Sequence, residues 1–153
     1  MAVRFANFNS LFINIIILKN NPTMEARDNN VLELRGETLG VITIQSSSEE
    51  VFQNKTLRPI LKLQNDLFIQ VFINYAIKQK GVFFGLTPEK KMSYIENVIH
   101  RDIKFRNSLK GMIIAFFTLD EYAEYIQISS NLNKRMMNML IERLKSQIQL
   151  IEQ

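Results

Sequence analysis

Thr87-Pro-Glu-Lys-Lys-Met-Ser-Tyr-Ile-Glu-Asn-Val-Ile-His100 is the run that decides the fold class. It opens on a capping hydroxyl, a proline at the first helical position and an early acid, which together start a helix. Met92, Ile95, Ile99, Ile103, Ile113 and Phe117 then recur along one helical face. Val98, Phe105, Leu109, Met112 and Phe116 widen that face, so the spacing predicts one long, largely buried helix. Gly111 inside it costs about 1 kcal/mol against alanine and marks a kink or a close helix contact.

The helical period extends both ways from this run. Upstream, Leu57, Ile60, Leu61, Phe68, Val71, Phe72 and Tyr75 follow it from Glu49 onward, with Ser48 as the expected cap and Glu49 and Glu50 in the first turn. Pro59 either begins the main helix after a short one or kinks a single long one, and Gly81 ends it. Downstream, Thr118-Leu-Asp-Glu121 has capping-box spacing and opens a segment with Tyr122, Tyr125, Ile126 and Ile128. Ser129-Ser130-Asn131 reads as another cap or as a weak spot in one helix. Leu132, Met136, Leu140, Leu144 and Ile151 then form an apolar stripe, with Lys134, Asn138, Glu142, Lys145 and Gln149 on the other side.

Before Glu49 the pattern is lost. Residues 24–35 are charged and show no periodicity. Leu39, Val41, Ile42 and Ile44 lie between Gly36, Gly40 and the serines at 46–48, which suggests a short extended piece without an obvious strand partner. The expected architecture is therefore all-α: a bundle of four to five helices over 49–153, preceded by an extended N-terminal arm over 24–48. Residues 1–23 read as an extension outside the domain, with Met24 as the natural start. Secretion is the weaker reading, because Asn14 breaks the apolar run from Leu11 to Leu18 and no small-residue cleavage site follows. The run is also too short to span a bilayer.

Composition narrows the chemistry. The 153 residues suit one domain. The chain has no cysteine, so disulfides, a thiol nucleophile and thiolate metal sites are excluded, and a reducing, cytoplasmic setting is expected. The single histidine, His100, cannot supply a site of two or three histidines. The net charge is +4, of which Arg4 and Lys19 carry two units.

His100-Arg-Asp-Ile-Lys-Phe-Arg-Asn107 has the spelling of a protein-kinase catalytic loop. The glycine-rich phosphate loop and the Asp-Phe-Gly element that such chemistry requires are missing, and the stretch lies within the helical period. Asp102 and Arg106 stand four apart, as do Glu96 and His100, so ion pairing along a helix face is the better reading. Arg101, Lys104, Arg106 and Lys110 form a basic run, but it is divided between faces, and no nucleic-acid module accompanies it. Met136, Met137 and Met139 suit a core or an oligomer seam. Asp102, Arg106, Tyr122 and Tyr125 make up the candidate polar cluster for a pocket between helices. No cofactor and no metal are expected.

Leu34-Arg-Gly-Glu-Thr-Leu-Gly40, Phe52-Gln-Asn-Lys-Thr-Leu-Arg-Pro-Ile-Leu-Lys-Leu-Gln-Asn-Asp66, Asp102-Ile-Lys-Phe-Arg-Asn-Ser-Leu-Lys-Gly-Met112 and Asn133-Lys-Arg-Met-Met-Asn138 carry a further signal. From Leu32 to Gln149 the chain resembles a small bacterial protein family often labelled "glyoxalase". That resemblance implies a glyoxalase activity. The residues here oppose it: the metal-dependent routes need His and Glu ligands on strands or a histidine-rich dinuclear motif, against a mostly helical chain with one histidine, and cofactor-free routes need a nucleophilic cysteine, which is absent. The expectation is a non-catalytic interaction module that self-associates or binds another protein, with no membrane partner. An enzyme or small-ligand binder and a nucleic-acid-associated protein are the alternatives.

Overall fold

Asn21 and Pro22 start the helix over Pro22–Arg35. The Asn21 side chain accepts from the Thr23 N–H at 3.0 Å, and Pro22 occupies the position where no N–H is needed. The computed structural model describes residues 13–14, 17–18 and 20–152; the reading of residues 1–23 as an extension lies largely outside them. Helix α1 covers Pro22–Arg35, which corrects the expected extended arm over 24–48: only its second half is irregular. The helix escaped a periodicity reading because it buries just Val31 and Arg35 and docks through polar side chains instead.

After an irregular stretch from Gly36 to Ser47, α2 (Ser48–Phe52) passes through a π-helical turn (Gln53–Leu57) into α3 (Arg58–Leu63). The cap of α2 is Ser47, one residue before the expected Ser48. Helix α4 (Asn65–Lys78) follows a break at Gln64, whose buried side chain donates to the Met112 carbonyl at 2.8 Å. The chain leaves α4 through Lys80 and Gly81, both with positive φ. It then makes a short 3-10 turn (Val82–Gly85) before α5 (Pro88–Arg101).

The single long helix expected from Pro88 to Phe117 is two helices. Asp102 leaves helical geometry at φ −82° and ψ 96° and caps α6 (Ile103–Ile114), accepting from the Phe105 N–H at 3.0 Å. The apolar period runs straight across this break, so spacing alone could not reveal it. Ile103, expected on the buried face, is 60% exposed. Gly111 makes no close contact: a Cβ there would meet nothing within 4 Å. Helix α7 (Leu119–Gln127) carries the full Thr118–Glu121 capping box, as the spacing predicted. A break at Ile128 leads to α8 (Ser129–Ser146), whose start has no side-chain cap.

The architecture is all-α, with no strand among the described residues. Helix α8 lies at its centre, burying Leu132, Met136, Met137, Leu140, Ile141 and Leu144 against α5, α6 and α7. Met136 and Met137 are therefore core residues. An aromatic cluster fills one end, with Phe72 edge-on to Phe83 at 5.1 Å and Tyr75 stacked on Phe105 at 3.9 Å. At the other end Phe117 packs edge-on against Phe52 at 5.3 Å and near Tyr125 at 5.6 Å. No helix among the described residues is long and apolar enough to cross a membrane.

Candidate functional site: a braced surface arm

Residues 37–47 form the exposed feature that the fold takes most care to position, and its support begins in the π turn. Pro59 has no N–H, so the carbonyls four and five residues before it, Lys55 and Asn54, lose a helical donor. Both find one in the N-terminal segment. The Leu39 N–H donates to the Asn54 carbonyl at 3.0 Å, and Arg35 Nη2 donates to the Lys55 carbonyl at 3.2 Å. The buried Asn54 side chain adds a bond to the Val41 carbonyl at 3.1 Å. Gly40 permits this approach: its φ is +103°, and a Cβ would sit 3.0 Å from the Asn54 side chain.

Arg35 and Glu121 lock the same junction from within. Arg35 Nη1 lies 2.6 Å from Glu121 Oε2, and Nη2 lies 2.7 Å from Oε1. Thr56 Oγ1 donates to Oε1 at 2.7 Å, and the Thr118 N–H donates to Oε2 at 2.8 Å. Burial pushes the Glu121 carboxyl up, but the hydrogen bonds from Arg35, Thr118 and Thr56 outweigh it and hold the group below the usual carboxylate range. Arg35 Nη1 also donates to the Phe116 carbonyl at 3.1 Å, while its buried Nε has no partner. Arg27 donates to the Ala115 and Phe117 carbonyls, and Asp28 accepts from the Leu119 N–H at 2.9 Å. Helix α1 thus satisfies backbone groups at the end of α6 and the start of α7 with ionic side chains.

Above this base the arm exposes its apolar residues. Thr43 and Ser46 close a small turn through the Thr43 N–H to Ser46 Oγ bond at 3.1 Å. Val41 is 77% exposed, Ile42 is 41% exposed and Ile44 is fully exposed. Their N–H groups have no acceptor among the described residues. Beside the arm's root a cleft of about 430 Å³ is lined by Leu34, Leu39, Leu63, Lys62 and Glu37, among others.

The candidate polar cluster does not form one site. Asp102 accepts from Tyr75 Oη at 3.0 Å and caps Phe105; the Phe105 N–H, then Tyr75, hold its carboxyl below the ordinary range. Arg106 donates to the His100 carbonyl at 2.8 Å, and no Asp102–Arg106 ion pair forms. Glu96 pairs with Lys145 at 2.7 Å, and the expected partner His100 adds only a smaller electrostatic contribution. Tyr122 packs on Tyr125, whose hydroxyl donates to Asn133 Oδ1 at 2.8 Å. Asp102 and Arg106 therefore satisfy the α5–α6 break, whereas Tyr122 and Tyr125 belong to α7 and its contact with α8. Sequence reasoning missed Arg35, Asn54 and Glu121 as a set. Glu121 carried a signal through its capping box, but its partner lies 86 residues away. Among the described residues, no three His, Cys, Asp or Glu side chains come together as a metal site. No protein-family model, no curated protein and no solved structure matches this chain.

Proposed function

We propose that the protein is a non-catalytic helical interaction module that pairs with a second copy of itself through the arm at residues 37–47. The observation that carries this reading is the contrast between a rigidly anchored root and an unburied apolar tip. Asn54 contributes two bonds to the root, while Val41, Ile42 and Ile44 meet solvent with free N–H groups. Three neighbouring exposed apolar residues on one ordered loop suit an interaction surface. A second copy is the occupant because the arm carries both the exposed apolar tip and, at Leu39, part of the wall of the Leu34–Leu39–Leu63 cleft. A two-fold axis then lets each arm enter the other's cleft in a closed pair. A cytoplasmic setting suits a chain without cysteine.

Light scattering after gel filtration tests this reading on the full chain. A dimer at micromolar concentration that becomes monomeric in Ile44→Asp, with helicity unchanged, supports it. A clean wild-type monomer removes self-association. A dimer unaffected by Ile44→Asp and by Val41→Asp moves the interface elsewhere.

A further inference from the structure

The geometry points to a second site, an anion-binding cleft between α6 and α8 that takes a phosphorylated small molecule. The cleft has a volume of about 450 Å³, within the range of small-molecule sites. His100, Arg106, Lys110 and Lys134 line it, and no Asp or Glu does. These four come from the end of α5, from two turns of α6 and from α8, so the convergence is a product of the fold. The sequence offered Arg106 and Lys110 only as part of a helical basic run; Lys134, far along the chain, completes the set.

Donors are arranged and unspent. The Arg106 guanidinium is tethered through Nη1 to the His100 carbonyl at 2.8 Å, which fixes its position and leaves its other N–H groups available. Lys110 and Lys134 have no hydrogen-bond or ion-pair partner among the described residues, and neither do the side chains of Asn107 and Asn138 on the rim. The Asn133 carboxamide oxygen is already taken by Tyr125, which turns its NH₂ into the remaining polar function of that residue. Asp102, the acid nearest along the chain, is held by Tyr75 and by the Phe105 N–H. Buried Met137 supplies an apolar wall for the organic part of a ligand.

A compact cluster of one guanidinium, two ammonium groups and carboxamides matches a phosphate monoester, whose oxygens accept several charge-assisted bonds at once. A nucleic-acid backbone would instead need cations spread along a stripe, and Arg101 and Lys104 do not line the cleft.

The test uses the full-length protein with inorganic pyrophosphate and adenosine monophosphate as probes, adenosine as the neutral control and a single-stranded oligonucleotide as the rival. Calorimetry gives affinity, and amide NMR gives location. Saturable binding of either phosphate probe below about 1 mM supports the proposal, provided adenosine does not bind. The shifted amides should cluster at residues 106–110 and 133–138. Lys110→Gln with Lys134→Gln should weaken binding about tenfold or more, since each removes a charge-assisted contact. Neither lysine has an intramolecular partner, so the variant keeps the wild-type melting temperature. Absence of binding, equal binding of adenosine, an unweakened double variant, or tighter and steeply salt-dependent binding of the oligonucleotide would each overturn it.

Discussion

Arg35 and Glu121 meet in a two-pronged ion pair, with 2.6 and 2.7 Å between their paired atoms and almost no solvent at either side chain. Such a pair is a weak source of net stability, yet removing one partner leaves the other charged and buried. Arg35→Ala should therefore lower unfolding free energy by about 3–5 kcal/mol in urea titration. Arg35→Lys should fail to rescue most of this, because an ammonium cannot reproduce the planar fork. A loss below about 1 kcal/mol in either variant would mean that the pair is solvated in solution.

The same pair sets an acid limit. The folded-state pKa of Glu121 is depressed, so its contribution is fully present above the unfolded carboxylate value of 4.5. It disappears as pH falls through the lower folded value. Wild-type stability should drop across that acid interval, and Glu121→Gln should show a shallower drop there. Parallel acid titrations would refute the assignment.

Tyr75 reports on the alkaline side. Burial first, then the hydrogen bond to the Asp102 carboxylate, push its phenol up to about 12. A raised folded-state value means stability that is intact below the ordinary phenol value of 10.0 and is lost as pH rises toward 12. Ultraviolet titration should find a tyrosine phase near pH 12, and Tyr75→Phe should remove it.

Gly40→Ala isolates the arm. The substitution meets both a positive φ and the Asn54 side chain 3.0 Å from the new Cβ. Proteolysis should become faster within residues 37–47, while the far-ultraviolet helical signal stays at the wild-type level. Unchanged cleavage would show that the arm is not braced by this contact.

A non-catalytic module should leave methylglyoxal untouched. Purified protein incubated with methylglyoxal, with and without glutathione and with zinc or nickel, should yield no lactoyl product above the buffer control. Metal-dependent product formation well above that control would refute the non-catalytic reading.

Local chemistry was legible in the sequence wherever one residue's partner lies within a turn of it. Thr87–Pro88 and Thr118–Glu121 start helices where their spelling places them. The stripe of α8 is likewise buried as its period requires. Two kinds of information were not legible. At Asp102 the apolar spacing continues while the backbone breaks, because the break is decided by a cap and by Tyr75, 27 residues away. Helix α1 has almost no apolar face, since Arg27, Asp28 and Arg35 dock it onto backbone groups about 80–90 residues downstream. Hydrophobic periodicity is blind to a helix held by charge. The arm was anticipated through Leu39, Val41, Ile42 and Ile44, but its anchor, Asn54, has no signature of its own.

Pro59 has a consequence beyond its own turn. The Lys55 and Asn54 carbonyls point at the N-terminal segment only while the π turn is wound, so the arm's order is conditional on an intact helix beneath it. Arm and scaffold are then expected to open and close as one cooperative unit, so a molecule whose core has loosened loses the ordered arm at the same time.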